Sequence, residues 1–179
     1  MALLAYVANN GSTNVSVIDT STNTVTATVT VGTNPYGVAV TPDGSHVYVS
    51  NYGAGTVSVI ATATNTVIAT VTVGTYPAGV AITPDGSHVY VTNYGAGTVS
   101  IIATSTNTVT ATVTVGTNPF GVAITPDGSH VYVTNYSDGT ASVIATSTNT
   151  VTATVTVGTG PRGLAIGNVV IYNLIVMII

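Results

Sequence analysis

The chain has 179 residues with no cysteine, no tryptophan and one phenylalanine, so the core of this single domain must be built from Val, Ile, Ala and Tyr without disulfide support. Charged residues make up 3% of it, against about a quarter in ordinary soluble domains, and Lys and Glu are absent altogether. Arg162 is the sole fixed cation beside the carboxylates of Asp19, Asp43, Asp85, Asp127 and Asp138, which excludes nucleic acid as a partner because a phosphate backbone would find almost nothing to pair with.

The amino terminus, Met1-Ala2-Leu3-Leu4-Ala5, is too short for the apolar core of an export signal and runs directly into a repeat. The expectation is that an export segment lies outside this chain or that the protein is not exported. The repeat dominates everything that follows. Tyr6-Val7-Ala8-Asn9, Tyr48-Val49-Ser50-Asn51, Tyr90-Val91-Thr92-Asn93 and Tyr132-Val133-Thr134-Asn135 recur every 42 residues, and the second and third copies differ at only six positions. A period of this size marks solenoids and propellers. The repeats fall near 6–47, 48–89, 90–131 and 132–167, followed by 168–179 outside the pattern.

Within the third copy, Val91 to Tyr94, Val99 to Ile102, Val109 to Val115 and Gly121 to Ile124 are β-prone runs, none long enough for a helix. Gly95-Ala96-Gly97, Thr104 to Asn107, Gly116 to Pro119 and Pro126-Asp127-Gly128-Ser129 separate them as turns. The strict alternation of Val109 to Val115 fits a half-exposed outer strand, and the near-continuous apolar run of Gly121 to Ile124 fits an innermost one. The predicted fold is all-β: a β-propeller of four 42-residue, four-stranded antiparallel blades, ordered from the axis outward as the GVAV-, YVTN-, VSVI- and TVTATVTV-type strands. One such sheet cannot bury both faces alone, so the blades must stack. The chain starts inside a blade and supplies one extra inner strand at its end, Gly163 to Ile166. The complementary phase predicts that the two ends share the first blade, with Gly163 to Ile166 paired to Ala5 to Ala8.

The strings Tyr90-Val91-Thr92-Asn93, Thr106-Asn107-Thr108-Val109 and Ile124-Thr125-Pro126-Asp127-Gly128 resemble the YVTN family of β-propeller repeats, found in archaeal and bacterial surface-layer and cell-surface proteins. The resemblance covers residues 5 to about 166. It implies a structural role at the cell surface or outside the cell, although members range to propellers resembling lactonases and quinoprotein dehydrogenases. The family commonly closes a ring with seven blades where four copies stand here. Its Asp after the third strand survives only as Asp19, with Ala61, Ala103 and Ala145 elsewhere.

Candidate sites were weighed on their residue types. His46, His88 and His130 recur at the blade interval, but they start the second strand, spread around a ring, and have Leu4 at the matching position of the first copy. No metal site, no cofactor and no catalytic residue is expected from them. Asp43, Asp85 and Asp127 lie in Pro-Asp-Gly turns, where Asp caps backbone N–H groups. The pairs Tyr48 and Tyr52, Tyr90 and Tyr94, and Tyr132 and Tyr136 suit packing between blades with a hydroxyl at the wet edge. The functional expectation is a non-catalytic structural module. The alternatives are a glycan- or protein-binding propeller, distinguished by a pocket lined where the copies differ (Tyr76, Ala78, Phe120, Asp138, Arg162), and a lactonase- or quinoprotein-like enzyme.

The uncharged stretch Val169, Val170, Ile171, Tyr172, Asn173, Leu174, Ile175, Val176, Met177, Ile178 and Ile179 is too short to span a bilayer, and no transmembrane segment is expected. Left free it would be an aggregation hazard. It is therefore expected to pair as an assembly strand, with the chain itself as partner in an eight-bladed ring of two chains or in a filament. Other surface proteins or glycans are the remaining candidate partners.

Overall fold

A computed structural model describes residues 3–167. The assembly residues expected at Val169 to Ile179 lie outside the described residues.

Fifteen strands and no helix make up the described chain. The first sheet holds β1 (Leu4–Asn9), β2 (Asn14–Asp19) and β3 (Thr24–Thr30). The second runs β4 (Pro35–Val40), β5 (His46–Asn51), β6 (Thr56–Ala61) and β7 (Thr66–Thr72) in that order. The third repeats it with β8 (Pro77–Ile82), β9 (His88–Asn93), β10 (Thr98–Ala103) and β11 (Thr108–Thr114). The fourth comprises β12 (Pro119–Ile124), β13 (His130–Asn135), β14 (Thr140–Ala145) and β15 (Thr150–Thr156). All pairings are antiparallel between sequence neighbours, as the alternating runs and short turns require. Inner strands of adjacent blades lie against one another while outer strands barely touch, so the blades radiate from an axis.

The core is three copies of one interface. The face of one blade carrying Tyr48, Val57, Val59 and Val71 meets the face of the next carrying Val89, Val91 and Ile102. The same positions meet again around Tyr90 and Val131 and around Val15 and Val47. Tyrosine hydroxyls clip the blades further: Tyr48 donates to Asn107 Oδ1 at 2.6 Å and Tyr90 to Asn149 Oδ1 at 3.0 Å. Burial raises both phenols above their ordinary pKa.

The YVTN-type Asn is a structural tie. Asn93 is fully buried; its Oδ1 accepts the Gly74 N–H from the preceding blade at 3.1 Å, and its Nδ2 donates to Thr98 and Ser100 at 3.0 and 2.9 Å. Asn135 is equally buried and equally engaged.

The expected sharing of the first blade is corrected by the topology. That sheet has three strands, β1 pairs only with β2, and residues 163–166 form no strand. Instead the Arg162 carbonyl accepts from Thr134 Oγ1 at 3.1 Å, the step that Ala78 and Phe120 make one blade earlier each. The segment therefore begins a fifth step of the arc instead of returning to the first.

Candidate functional site

The mouth of the axis where inner strands begin is built by a bulge. Pro77 pairs with Asn93 and Val80 with Val91, so Ala78 and Gly79 together oppose Thr92; β4 and β12 do the same. A bulge re-aims its side chain, and here it turns position 78 and its counterparts Tyr36 and Phe120 towards the mouth. Thr92 Oγ1 accepts the Gly79 N–H at 2.8 Å and donates to the Phe120 carbonyl of the next blade at 2.8 Å. A Cβ on Gly79 would sit 2.5 Å from that carbonyl oxygen, so only glycine lets adjacent inner strands approach this closely. The sequence reading did not assign this relay, although the alternation of Ser50, Thr92 and Thr134 at one repeat position was its signal.

Aromatic side chains fill this mouth. Tyr36 and Phe120, two blades apart, meet edge to face at 5.5 Å across the small Ala78. Tyr52 lies 6.3 Å from both Tyr36 and Tyr94, and Tyr94 meets Phe120 edge to face at 6.1 Å. Tyr76 stacks on Tyr52 at 5.0 Å from a left-handed backbone, φ +53°, where the other copies place Asn34, Asn118 and Gly160. Arg162 lies over Phe120 at 5.2 Å and Tyr136 at 4.8 Å. Asn10, Asn34, Tyr36, Tyr52, Tyr94, Phe120 and Arg162 enclose a cavity of about 460 Å³. Burial first, then the neighbouring hydroxyls of Tyr94, Tyr76 and Tyr36, raises the Tyr52 pKa; a hydrogen bond with Tyr136 raises that of Arg162. Of the copy-specific residues, Phe120 and Arg162 line this cavity, Tyr76 buttresses it and Ala78 makes room for it. Asp138 is elsewhere, accepting the Thr117 N–H at 2.6 Å.

The opposite mouth carries the histidines and turn carboxylates. Asp85 accepts from Thr83 Oγ1 at 2.5 Å, from Ser87 N at 3.0 Å and from Ser87 Oγ, while Ser87 Oγ lies 2.7 Å from His88 Nδ1. The Ser87 hydroxyl donates to the Asp85 carboxylate. In a nucleophilic triad the histidine stands between acid and serine; here the serine stands in the middle and keeps its proton. His46 and His130 repeat the arrangement with Ser45 and Ser129. A cavity of about 340 Å³ lies beside Asp85, His88 and Asp127, and among the described residues no three carboxylate, imidazole or thiol groups gather as a metal cluster.

Hydrogen bonds from Thr41, Thr83 and Thr125, reinforced by Ser45, Ser87 and Ser129, lower Asp43, Asp85 and Asp127 to about 2. A folded pKa below the unfolded one gives stability that is present above the ordinary carboxylate pKa and lost as pH falls through the folded value. The melting temperature is therefore expected to be flat above pH 5 and to fall between pH 4 and about 2. Replacing all three Asp by Asn should remove most of that fall, and an unchanged acid limb in a melting series would contradict the assignment.

With this geometry in hand, comparison with known proteins is informative. The lactonase, 7-bladed β-propeller family matches residues 61–163, more than half of the chain. The chain belongs to that family. Among solved structures, this lactonase-family propeller is similar to hydrazine synthase of Kuenenia stuttgartiensis, with 27% identity and a TM-score of 0.83 over 87% of this chain and 46% of that one. It also shares the fold of a functionally unknown protein from Desulfotomaculum acetoxidans DSM 771, with 20% identity and a TM-score of 0.73 over 87% of this chain and 53% of that one. The chain thus spans about half the length of these structures. The PE-PGRS family protein PE_PGRS18 of Mycobacterium tuberculosis strain H37Rv is 62% identical over 37 residues, which are 21% of this chain and 8% of that protein. Within the family fold, the described residues contain no helix, and none long and apolar enough to cross a membrane.

Proposed function

We propose that this chain is a non-catalytic structural β-propeller module of the YVTN type, at the cell surface or outside the cell, whose arc is completed by a second copy of itself. One observation carries the reading: the two ends of the arc present opposite halves of the interface that the interior repeats bury. Val29, Val71 and Val113 are 4–7% exposed under the next blade, whereas their counterpart Val155 on the last blade is 46% exposed. Val49, Val91 and Val133 are fully buried against the preceding blade, whereas Val7 on the first is 44% exposed. A chemically matched pair of surfaces on one chain is a heterologous contact, and two copies each supplying four blades close as a ring of eight. Among the described residues the first sheet has three strands, and the Arg162 carbonyl continues the inner-strand contacts beyond the fourth blade.

The family's name raises an enzymatic reading. Against it stands the serine-centred hydrogen bonding at Asp85 and His88, repeated at His46 and His130, which leaves no activated nucleophile. Electron micrographs of the purified protein are expected to show closed eight-bladed rings, and lactone substrates to be hydrolysed no faster than in buffer. Isolated arcs, or turnover abolished by Asp85→Asn, would overturn the two halves of the proposal respectively.

A further inference from the structure

The aromatic mouth is more than packing. Tyr76 occupies a left-handed backbone that the other copies give to Asn or Gly, and an L-residue with a bulky side chain pays for that conformation. Strain of this kind persists where it places a side chain for use. What it places is a second ring against Tyr52, extending the wall of the cavity. The bulge of the inner strand reads Tyr36, Ala78 and Phe120 in successive blades, with Arg162 at the matching repeat position, so this position carries a different residue in every copy.

We propose that this cavity binds a carbohydrate bearing a carboxylate, a hexuronate sugar. Tyr36, Tyr52, Tyr94 and Phe120 meet at interplanar angles of 42° to 84°, which makes a bowl and not a slot. A flat aromatic ligand wants parallel walls, whereas a puckered sugar ring sets its electropositive C–H faces against several tilted π-faces at once. The tyrosine hydroxyls and the amides of Asn10 and Asn34 supply hydrogen-bonding partners for sugar hydroxyls around the cavity. Arg162 is the sole Lys or Arg of a chain with net charge −4, it is exposed, and among the described residues no carboxylate lines the cavity with it. Two aromatic faces hold its guanidinium in place, and the donors not engaged by Tyr136 can take a carboxylate with two parallel hydrogen bonds. Affinity and solution mass are read separately, so failure of this inference is distinguishable from failure of ring completion.

The test is titration of the intact chain with trigalacturonate, followed by calorimetry and by tyrosine fluorescence, which no tryptophan obscures. Saturable binding is expected, weakened about tenfold or more by Arg162→Gln, the loss of one charge-assisted pair. Galactotriose, the neutral counterpart, should bind about tenfold more weakly than the uronate. Tyr76→Asn, which restores the residue of two other copies and so preserves the fold, should weaken binding several-fold at unchanged solution mass. Absence of saturable binding, equal affinity for the neutral sugar, displacement by benzoate at matching concentration, or indifference to Arg162→Gln would each overturn the proposal.

Discussion

Gly79→Ala is expected to destabilise the protein by about 3 kcal/mol, at the upper end of what one inserted methyl costs in a packed interior. The new Cβ would stand 2.5 Å from the backbone carbonyl oxygen of Phe120, an atom with no rotamer to escape into, and relief requires moving β8 away from β12. That movement also lengthens the paired hydrogen bonds through Thr92 that hold the two blades at the axis. Gly11→Ala is the control: nothing lies within 4 Å of its added Cβ, and its effect should stay within about 0.5 kcal/mol. Denaturant midpoints compare the two. Equal small effects would mean that the inner strands are not in backbone contact.

Asn93→Ala should cost about 3–4 kcal/mol, because it deletes three hydrogen bonds and leaves the Gly74 N–H and two hydroxyls facing a void. The same change at Asn9 should cost only about 1 kcal/mol. Asn9 is part-buried and donates to Asn14 and Ser16, and among the described residues no glycine N–H reaches its Oδ1. The difference between the two sites measures the link between successive blades, and equal losses would show that the Asn serves only its own sheet.

The repeat period made most of the architecture legible. The strands of the third copy were placed to within about three residues, because β-branched runs bounded by Gly and Pro-Asp-Gly leave little choice. Tyr48 and Tyr90 do pack between blades, while Tyr52 and Tyr94, four residues on, face the mouth instead. The same phase argument that showed a missing inner strand at one end and a spare one at the other said nothing about the turn per blade. Closure depends on that angle as well as on phase, and among the described residues β1 pairs with β2 alone. The aromatic mouth was visible only as a set of positions where copies differ. Its convergence depends on the bulge at Ala78-Gly79 and on residues two repeats apart, Tyr36 and Phe120, meeting across an axis, which periodicity in one dimension does not express.

The central claim is that opposite end faces of this arc belong together, and the mass of the 179-residue chain in solution tests it most directly. Light scattering at micromolar concentration should return twice 17.8 kDa for the unaltered protein, and 17.8 kDa for Val7→Asp or Val155→Asp, each of which places a charge in one half of the interface. An unaltered chain that stays at 17.8 kDa, or a pair that both substitutions leave intact, would contradict it.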